Sequence, residues 1–106
     1  MAVRERDPES TEAIGERIVE TRLAMGYGGV GGQARFAARI GASPQKVNNW
    51  ERGSKRISVD EARHLRRTLG LSMDWIYCGD MRLLDNDIAT KINDIRRGAA
   101  TLRRTA

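Results

Sequence analysis

Residues 33–53, QARFAARIGASPQKVNNWERG, have the pattern of two short helices joined by a tight turn. Gly41 is expected to end the first helix, because glycine adopts the left-handed backbone conformation without steric cost. Ser43 is a good N-cap for the second helix, and Pro44 follows at a first-turn position that needs no backbone N–H. Helical spacing assigns the buried faces of both helices to five apolar residues: Phe36, Ala37, Ile40, Val47 and Trp50.

The outward face of the second helix carries amides and one lysine, whereas a helix face that needs only solubility usually carries Glu, Lys and Arg. Its members are Gln45, Lys46, Asn48 and Asn49. An amide donates and accepts in one plane, which suits the edge of an adenine, and a lysine suits guanine acceptors or phosphate. The pattern favours a helix that contacts DNA bases, although a polar face that meets only water has the same composition.

Three segments, in the right order, resemble the helix-turn-helix domain of the phage repressor and Cro family, also called the Xre family. The first is Gln33-x-x-Phe36-Ala37-x-x-Ile40-Gly41-x-Ser43, followed by Val47 and by WERG at 50–53. Residues 21–27, TRLAMGY, are similar to the end of that family's first helix. Residues 69–76, LGLSMDWI, together with Gly79, are similar to its last helix. The resemblance covers about residues 14–80, most of the chain.

The resemblance implies an all-α fold: a five-helix repressor-like helix-turn-helix domain, to which the sequence adds a C-terminal amphipathic helix. It also implies that the second helix of the motif enters the major groove of double-stranded DNA. Gln45 and Asn49 are the expected main base contacts, with Lys46 and Asn48 contacting a base edge or a phosphate. Pro44 stands where the family often has a polar base-contacting residue, and its ring could touch a thymine methyl group.

A basic turn follows the recognition helix, where the family places phosphate contacts. The expected phosphate-contacting residues are Gln33, Arg35, Arg52, Lys55 and Arg56. A solvated charged turn is the alternative for Lys55 and Arg56. In the family, the arginine that matches Arg22 pairs with the glutamate that matches Glu51. We therefore expect a largely buried ion pair that ties the first helix to the recognition helix.

Composition sets broad bounds on the protein class. The 106 residues suit one domain, and the net charge of +5 with a pI near 10.1 is compatible with a polyanionic partner. The single Cys78 excludes an internal disulfide framework and a cysteine-rich zinc site, and is expected to be a small apolar residue in a reducing cytoplasm. No apolar run is long enough to span a membrane, and residues 1–12 lack the apolar segment of a secretory signal.

The chain is expected to have three parts: a flexible N-terminal arm (1–9), the helix-turn-helix domain (10–80) and a C-terminal helix with a basic tail (81–106). The C-terminal helix has an apolar stripe at helical spacing that extends to Ala99 and Leu102. Because repressors of this kind usually bind two-fold symmetric sites, the stripe is expected to form a homodimer interface. Its candidate residues are Leu84, Ile88, Ile92 and Ile95. Packing back onto the domain is the competing expectation.

The segment 26–32, GYGGVGG, makes the loop before the motif about four residues longer than in the family. It contains G-x-G-x-x-G, but a dinucleotide site needs a preceding strand in a βαβ unit, and here a helix precedes it. A flexible loop is expected instead, with the possibility that its backbone N–H groups touch DNA phosphate.

No arrangement of residues predicts an enzyme, a metal site or a cofactor, and His64 has no ligand-spaced partners. The expected function is a sequence-specific DNA-binding transcriptional regulator, a dimeric repressor of phage or mobile-element type. Its expected partners are double-stranded DNA and a second copy of the chain. Two alternatives stay open: an antitoxin whose C-terminal stripe binds a toxin, and an anti-activator that uses the same fold to bind another regulator.

Overall fold

A computed structural model describes the backbone of residues 7–105 and the side chains of residues 7–98. Over that range the chain is helical and has no strand, so the expected all-α class is confirmed. The six helices are α1 (Thr11–Ala24), α2 (Gly32–Ile40), α3 (Pro44–Glu51), α4 (Val59–Leu69), α5 (Met73–Cys78) and α6 (Asn86–Thr105). The helix-turn-helix motif consists of α2 and α3.

Four helices have a serine as their N-cap, and one of these is Ser43, the N-cap that the sequence predicts for α3. Ser10, Ser43, Ser58 and Ser72 each accept a hydrogen bond from the backbone N–H three residues later. At Ser58 the bond is reciprocal, because the Glu61 carboxylate accepts from the Ser58 backbone N–H. These caps satisfy backbone donors that the first turn leaves without partners, and they fix where each helix begins.

The core lies where α1 and α5 meet the motif. Phe36, Val47 and Trp75 are among its most buried side chains. The indole N–H of Trp75 donates to the Thr21 hydroxyl at 3.0 Å, and that hydroxyl donates to the Arg17 carbonyl at 2.8 Å. The polar atoms of this buried cluster are therefore satisfied by one another.

Two features fix α3 against α1. The first is Gly15, because a Cβ there would collide with the carbonyl oxygen of Trp50 and lie 2.9 Å from that of Glu51. The second is a bidentate ion pair in which Arg22 donates to both Glu51 oxygens, at 2.7 and 3.1 Å. Only 13% of the Arg22 side chain and 6% of the Glu51 side chain are exposed. The close approach and the ion pair together set the position of the recognition helix.

The C-terminal stripe packs back onto α1 through α6, which is the competing expectation of the sequence analysis. Leu84 and Ile92 are buried within the chain, while Ile88 and Ile95 are half-buried against the same core. Two interactions of Arg96 hold the helix in place: a bidentate ion pair with Glu20 at 2.6 and 2.9 Å, and a cation–π contact 5.5 Å from the Trp75 ring centroid. Leu84 and Ile92 belong to the same buried cluster as Ile14 and Ile18 of α1. The side chains of Ala99, Leu102 and the basic tail lie outside the described residues.

The described part of the N-terminal segment forms a turn against α1. Residues 7–9, assigned to a flexible arm, form a turn in which the Ser10 backbone N–H donates to the Asp7 carbonyl at 3.1 Å. The Pro8 carbonyl accepts a hydrogen bond from the buried Arg17 guanidinium. This bond anchors the turn to α1. Residues 1–6 lie outside the described part of the chain.

The glycine-rich loop before α2 is tied to both flanking helices. Arg22 donates to the Tyr27 carbonyl at 2.7 Å, and the Tyr27 ring makes an edge-to-face contact with Phe36. At the other end, the Arg35 guanidinium donates to the carbonyls of Gly28 and Val30, both at 3.1 Å. Side chains of α1 and α2 therefore fix the position of the loop.

Replacing Glu51 with glutamine tests the buried ion pair. The change keeps the side-chain shape but leaves the Arg22 guanidinium without an opposite charge, so we expect the free energy of unfolding to fall by about 3 kcal/mol. Urea denaturation measures this loss. The control is Arg82→Gln, which breaks the exposed Arg82–Asp80 pair and should change the free energy of unfolding far less. Equal stability of the two variants would contradict a structural role for Arg22–Glu51.

Candidate nucleic-acid interface

The recognition helix α3 has one buried side and one exposed side. Val47 is fully buried and Trp50 is 3% exposed, and both point into the core. Helical spacing then directs Gln45 and Lys46 to the surface, where both are exposed, while Asn48 and Asn49 are half-buried at the margins. Pro44, in the first turn, is exposed as well.

A shallow groove of about 460 Å³ runs between α3, the turn after it and the start of α4. It brings together five of the residues expected to contact DNA: Gln45, Lys46, Asn49, Lys55 and Arg56. Ser43, Ser58 and Glu61 also line it. We call this surface the recognition groove. Amides, hydroxyls and cations dominate its polar lining, which suits the base edges and phosphates of a duplex.

Two amides in the recognition groove are hydrogen-bonded to each other. Gln45 Nε2 donates to Asn49 Oδ1 at 3.1 Å, between residues one helical turn apart. The pair leaves the Gln45 carbonyl oxygen as an acceptor and the Asn49 NH₂ as a donor. Adenine presents the complementary pattern in the major groove, with N7 as an acceptor and N6 as a donor.

Lys46 is not a free cation at the surface, because its ammonium forms an ion pair with the Glu61 carboxylate at 3.0 Å. The other Glu61 oxygen accepts from the Ser58 backbone N–H at 2.9 Å. Burial raises the pKa of Glu61, but the hydrogen bonds from Ser58 and Lys46 outweigh it and hold the pKa below its ordinary value. Glu61 is therefore ionised at neutral pH. Glu61 is also the N3 residue of the capping box that opens α4.

The basic turn after α3 is held in a defined shape. The Asn49 carbonyl accepts from the backbone N–H groups of Ser54 and Lys55, at 2.9 and 3.2 Å. From α5, the Tyr77 hydroxyl donates to the Ile57 carbonyl at 2.9 Å, and burial raises the pKa of this phenol. The side chains of Lys55 and Arg56 stay exposed beside the groove. The role of Tyr77 was missed, since its sequence position gives no sign of this long-range contact.

Gln33 and Asn48 lie outside the recognition groove. The Gln33 amide donates to Glu51 at 2.9 Å and approaches the Asn48 side-chain oxygen at 3.4 Å. Gln33 is thus bound to the carboxylate that pairs with Arg22. Arg35 is occupied by the loop carbonyls, and Arg52 is exposed at the C-terminal end of α3. Most of the expected site residues therefore lie either in the recognition groove or in the network around Glu51, whereas Pro44, Arg35 and Arg52 belong to neither.

Charge is concentrated around this surface. Residues 33–69 contain nine Lys or Arg and three Asp or Glu, whereas residues 7–32 contain two and five. The segment that carries the recognition groove is thus strongly cationic, and the preceding helix is anionic. An asymmetry of this kind orients the protein toward a polyanion.

The described residues form neither a metal-ion cluster nor a membrane-spanning helix. No group of three or more His, Cys, Asp or Glu is placed to hold a metal ion. None of the described helices is both long and apolar enough to cross a membrane.

Comparison with known proteins bears directly on the motif. Residues 33–76 match the model of a helix-turn-helix family, a segment that includes α3, α4 and most of α2 and α5. No curated protein and no solved structure gave a significant match to the chain. Residues 33–76 therefore carry a helix-turn-helix domain of the Cro/C1 type, as the resemblance of the sequence predicts, and this domain supports a DNA-binding transcription regulator.

Proposed function

We propose that the protein is a sequence-specific transcriptional repressor of phage or mobile-element type that binds its operator as a homodimer. The observation that carries the proposal is the recognition groove, which places a hydrogen-bonded amide pair beside a basic turn on a helix fixed by α1. A repressor of this kind acts in the cytoplasm, on the nucleoid when it is bound to DNA. It needs no cofactor.

In the proposed complex, α3 lies in the major groove with its N-terminal half toward the bases. Gln45 and Asn49 contact base edges, and Pro44 lies where it can touch a thymine methyl group. Lys55, Arg56 and Arg52 contact phosphates on either side and hold the register of the protein on the duplex. Gln33 and Asn48 support α3 on the side that faces Glu51, where Gln33 donates to the side chains of Asn48 and Glu51. Asn48 is also near enough to the surface to contact the DNA backbone.

We propose a dimer because operators for repressors of this kind usually have two-fold symmetry. The proposal does not depend on the apolar stripe of the C-terminal helix, which is largely buried within the chain. Leu84 and Ile92 are used inside the chain, so a second copy needs another surface. A shallow groove between α1 and α6 offers one, lined by Leu23, Met25 and Ile95 and flanked by Lys91 and Asp94. Leu23 is 38% exposed. Flanking charges of opposite sign suit a two-fold interface, because each copy can offer its cation to the partner's anion.

The two alternatives have less support. An antitoxin would bind its toxin through the C-terminal stripe, and that stripe is largely occupied by α1. An anti-activator has no need of an amide pair and a basic turn that line one groove. Both remain distinguishable from a repressor by the partner that the protein binds.

Selection of bound sequences from random duplex DNA tests the proposed function. With purified protein at about 0.15 M salt, we expect enrichment of one motif with two-fold symmetry. The spacing of its half-sites would report the geometry of the dimer. Weak, salt-sensitive binding with no enriched motif would contradict the proposal.

The enriched duplex and a scrambled duplex then separate base contacts from phosphate contacts. Gln45→Ala should lower affinity for the enriched duplex by about 1–3 kcal/mol, with little change on the scrambled one, because the lost bonds are to a base edge. Arg56→Ala, the matched variant from the same groove, should weaken both duplexes alike and reduce the salt slope by about one. Fluorescence anisotropy at several salt concentrations measures these effects. Equal losses on both duplexes for Gln45→Ala would refute its base contact.

A further inference from the structure

Glu61 is an acidic residue on a surface that is otherwise suited to phosphate. It lines the recognition groove together with Gln45, Lys55 and Arg56. A carboxylate in that position repels the DNA backbone, so its presence needs a reason. Its role as a helix cap does not require the charge, because a neutral glutamine also serves at this position of a capping box.

The two oxygens of Glu61 have separate partners. Oε1 accepts from the Ser58 backbone N–H at 2.9 Å, and Oε2 lies 3.0 Å from the Lys46 ammonium. The cap fixes the carboxylate on the first turn of α4, and the carboxylate in turn draws the flexible Lys46 side chain toward α4. Lys46 is the cation on α3 that stands next to the base-contacting Gln45.

Stability does not explain the ion pair. The Lys46 side chain is 50% exposed and that of Glu61 is 26% exposed. Ion pairs at such exposure contribute little to the free energy of folding, because solvent screens them and ordering two long side chains costs entropy. The arrangement is better explained by what it does to Lys46 in the presence of DNA.

We propose that Glu61 is a specificity-determining positioning residue, which holds the Lys46 ammonium on the protein and away from the phosphates of non-operator DNA. The inference rests on the proposed function. A non-specific complex is almost entirely electrostatic, and the protein can shift on the duplex until each cation finds a phosphate. On the operator, base contacts fix the register and leave the pair intact. Because Glu61 neutralises the Lys46 ammonium, it weakens non-specific binding more than it weakens operator binding.

The test compares Glu61→Gln with Asp60→Asn. The glutamine retains the cap and loses the charge that holds Lys46. Asp60 is the neighbouring acid on the first turn of α4, so its neutralisation removes an equal charge while leaving Lys46 paired. Lys46→Met and the double variant Lys46→Met/Glu61→Gln complete the set. Affinities for the enriched and scrambled duplexes are measured against salt concentration, and thermal unfolding checks that each variant is folded.

We expect Glu61→Gln to raise the affinity for the scrambled duplex about fivefold at about 0.15 M salt and to steepen its salt slope by about 0.9, as one further phosphate contact does. Its affinity for the enriched duplex should stay within about twofold, so selectivity falls. Asp60→Asn should raise the affinity for the scrambled duplex less and should leave the slope of its salt dependence unchanged. In the Lys46→Met background, Glu61→Gln should have no effect beyond that of Asp60→Asn.

Two results would overturn the inference while leaving the proposed function intact. One is an unchanged scrambled-duplex affinity in Glu61→Gln, or a change no larger than in Asp60→Asn. The other is an effect of Glu61→Gln that persists in the Lys46→Met background. A wild-type protein that enriches no sequence would instead refute the proposed function itself.

Discussion

The close contact between α1 and α3 is the constraint on which the rest of the structure depends. The recognition helix has eight residues and is too short to be stable by itself in water. Its position must therefore come from its neighbours. Gly15 lets the backbone of α1 approach the carbonyl oxygens at the end of α3, and the Arg22–Glu51 pair fixes the helix at that distance. Gln33 adds α2 to the same carboxylate, so one acidic side chain joins three helices.

This arrangement divides the polar residues of the motif into two groups. On the side toward α1, Gln33, Asn48 and Glu51 are engaged with one another and with Arg22. On the side toward α4, Gln45 and Asn49 bond to each other and face the recognition groove. The first group fixes the helix, and the second is available for bases. The proposed base contacts therefore come from a helix held by bonds that DNA binding does not have to break.

Much of the fold could be predicted because local signals agree with one another. The Ser43 cap, the apolar spacing in α2 and α3, and Gly41, whose φ of 70° is left-handed, are local features that the structure reproduces. Contacts between distant segments were harder to predict. Helical spacing shows that Leu84 and Ile92 lie on one face, but it cannot show whether α1 or a second copy covers that face. In the same way, the sequence shows that Lys46 points outward, but it does not show that Lys46 pairs with Glu61, fifteen positions later. No local pattern in the sequence marks Gly15 as the point where α1 approaches α3.

The most direct measurement of the central claim compares Gly15→Ala with Gly98→Ala. Both changes add one methyl group to a helical glycine, but at Gly98 nothing lies within 4 Å of the added carbon. If the α1–α3 contact positions the recognition helix, Gly15→Ala should lower the free energy of unfolding by about 2 kcal/mol through overpacking. It should also lose affinity for the enriched duplex while retaining that for scrambled DNA, and Gly98→Ala should do neither. A Gly15→Ala protein with the stability and duplex preference of Gly98→Ala would contradict the account.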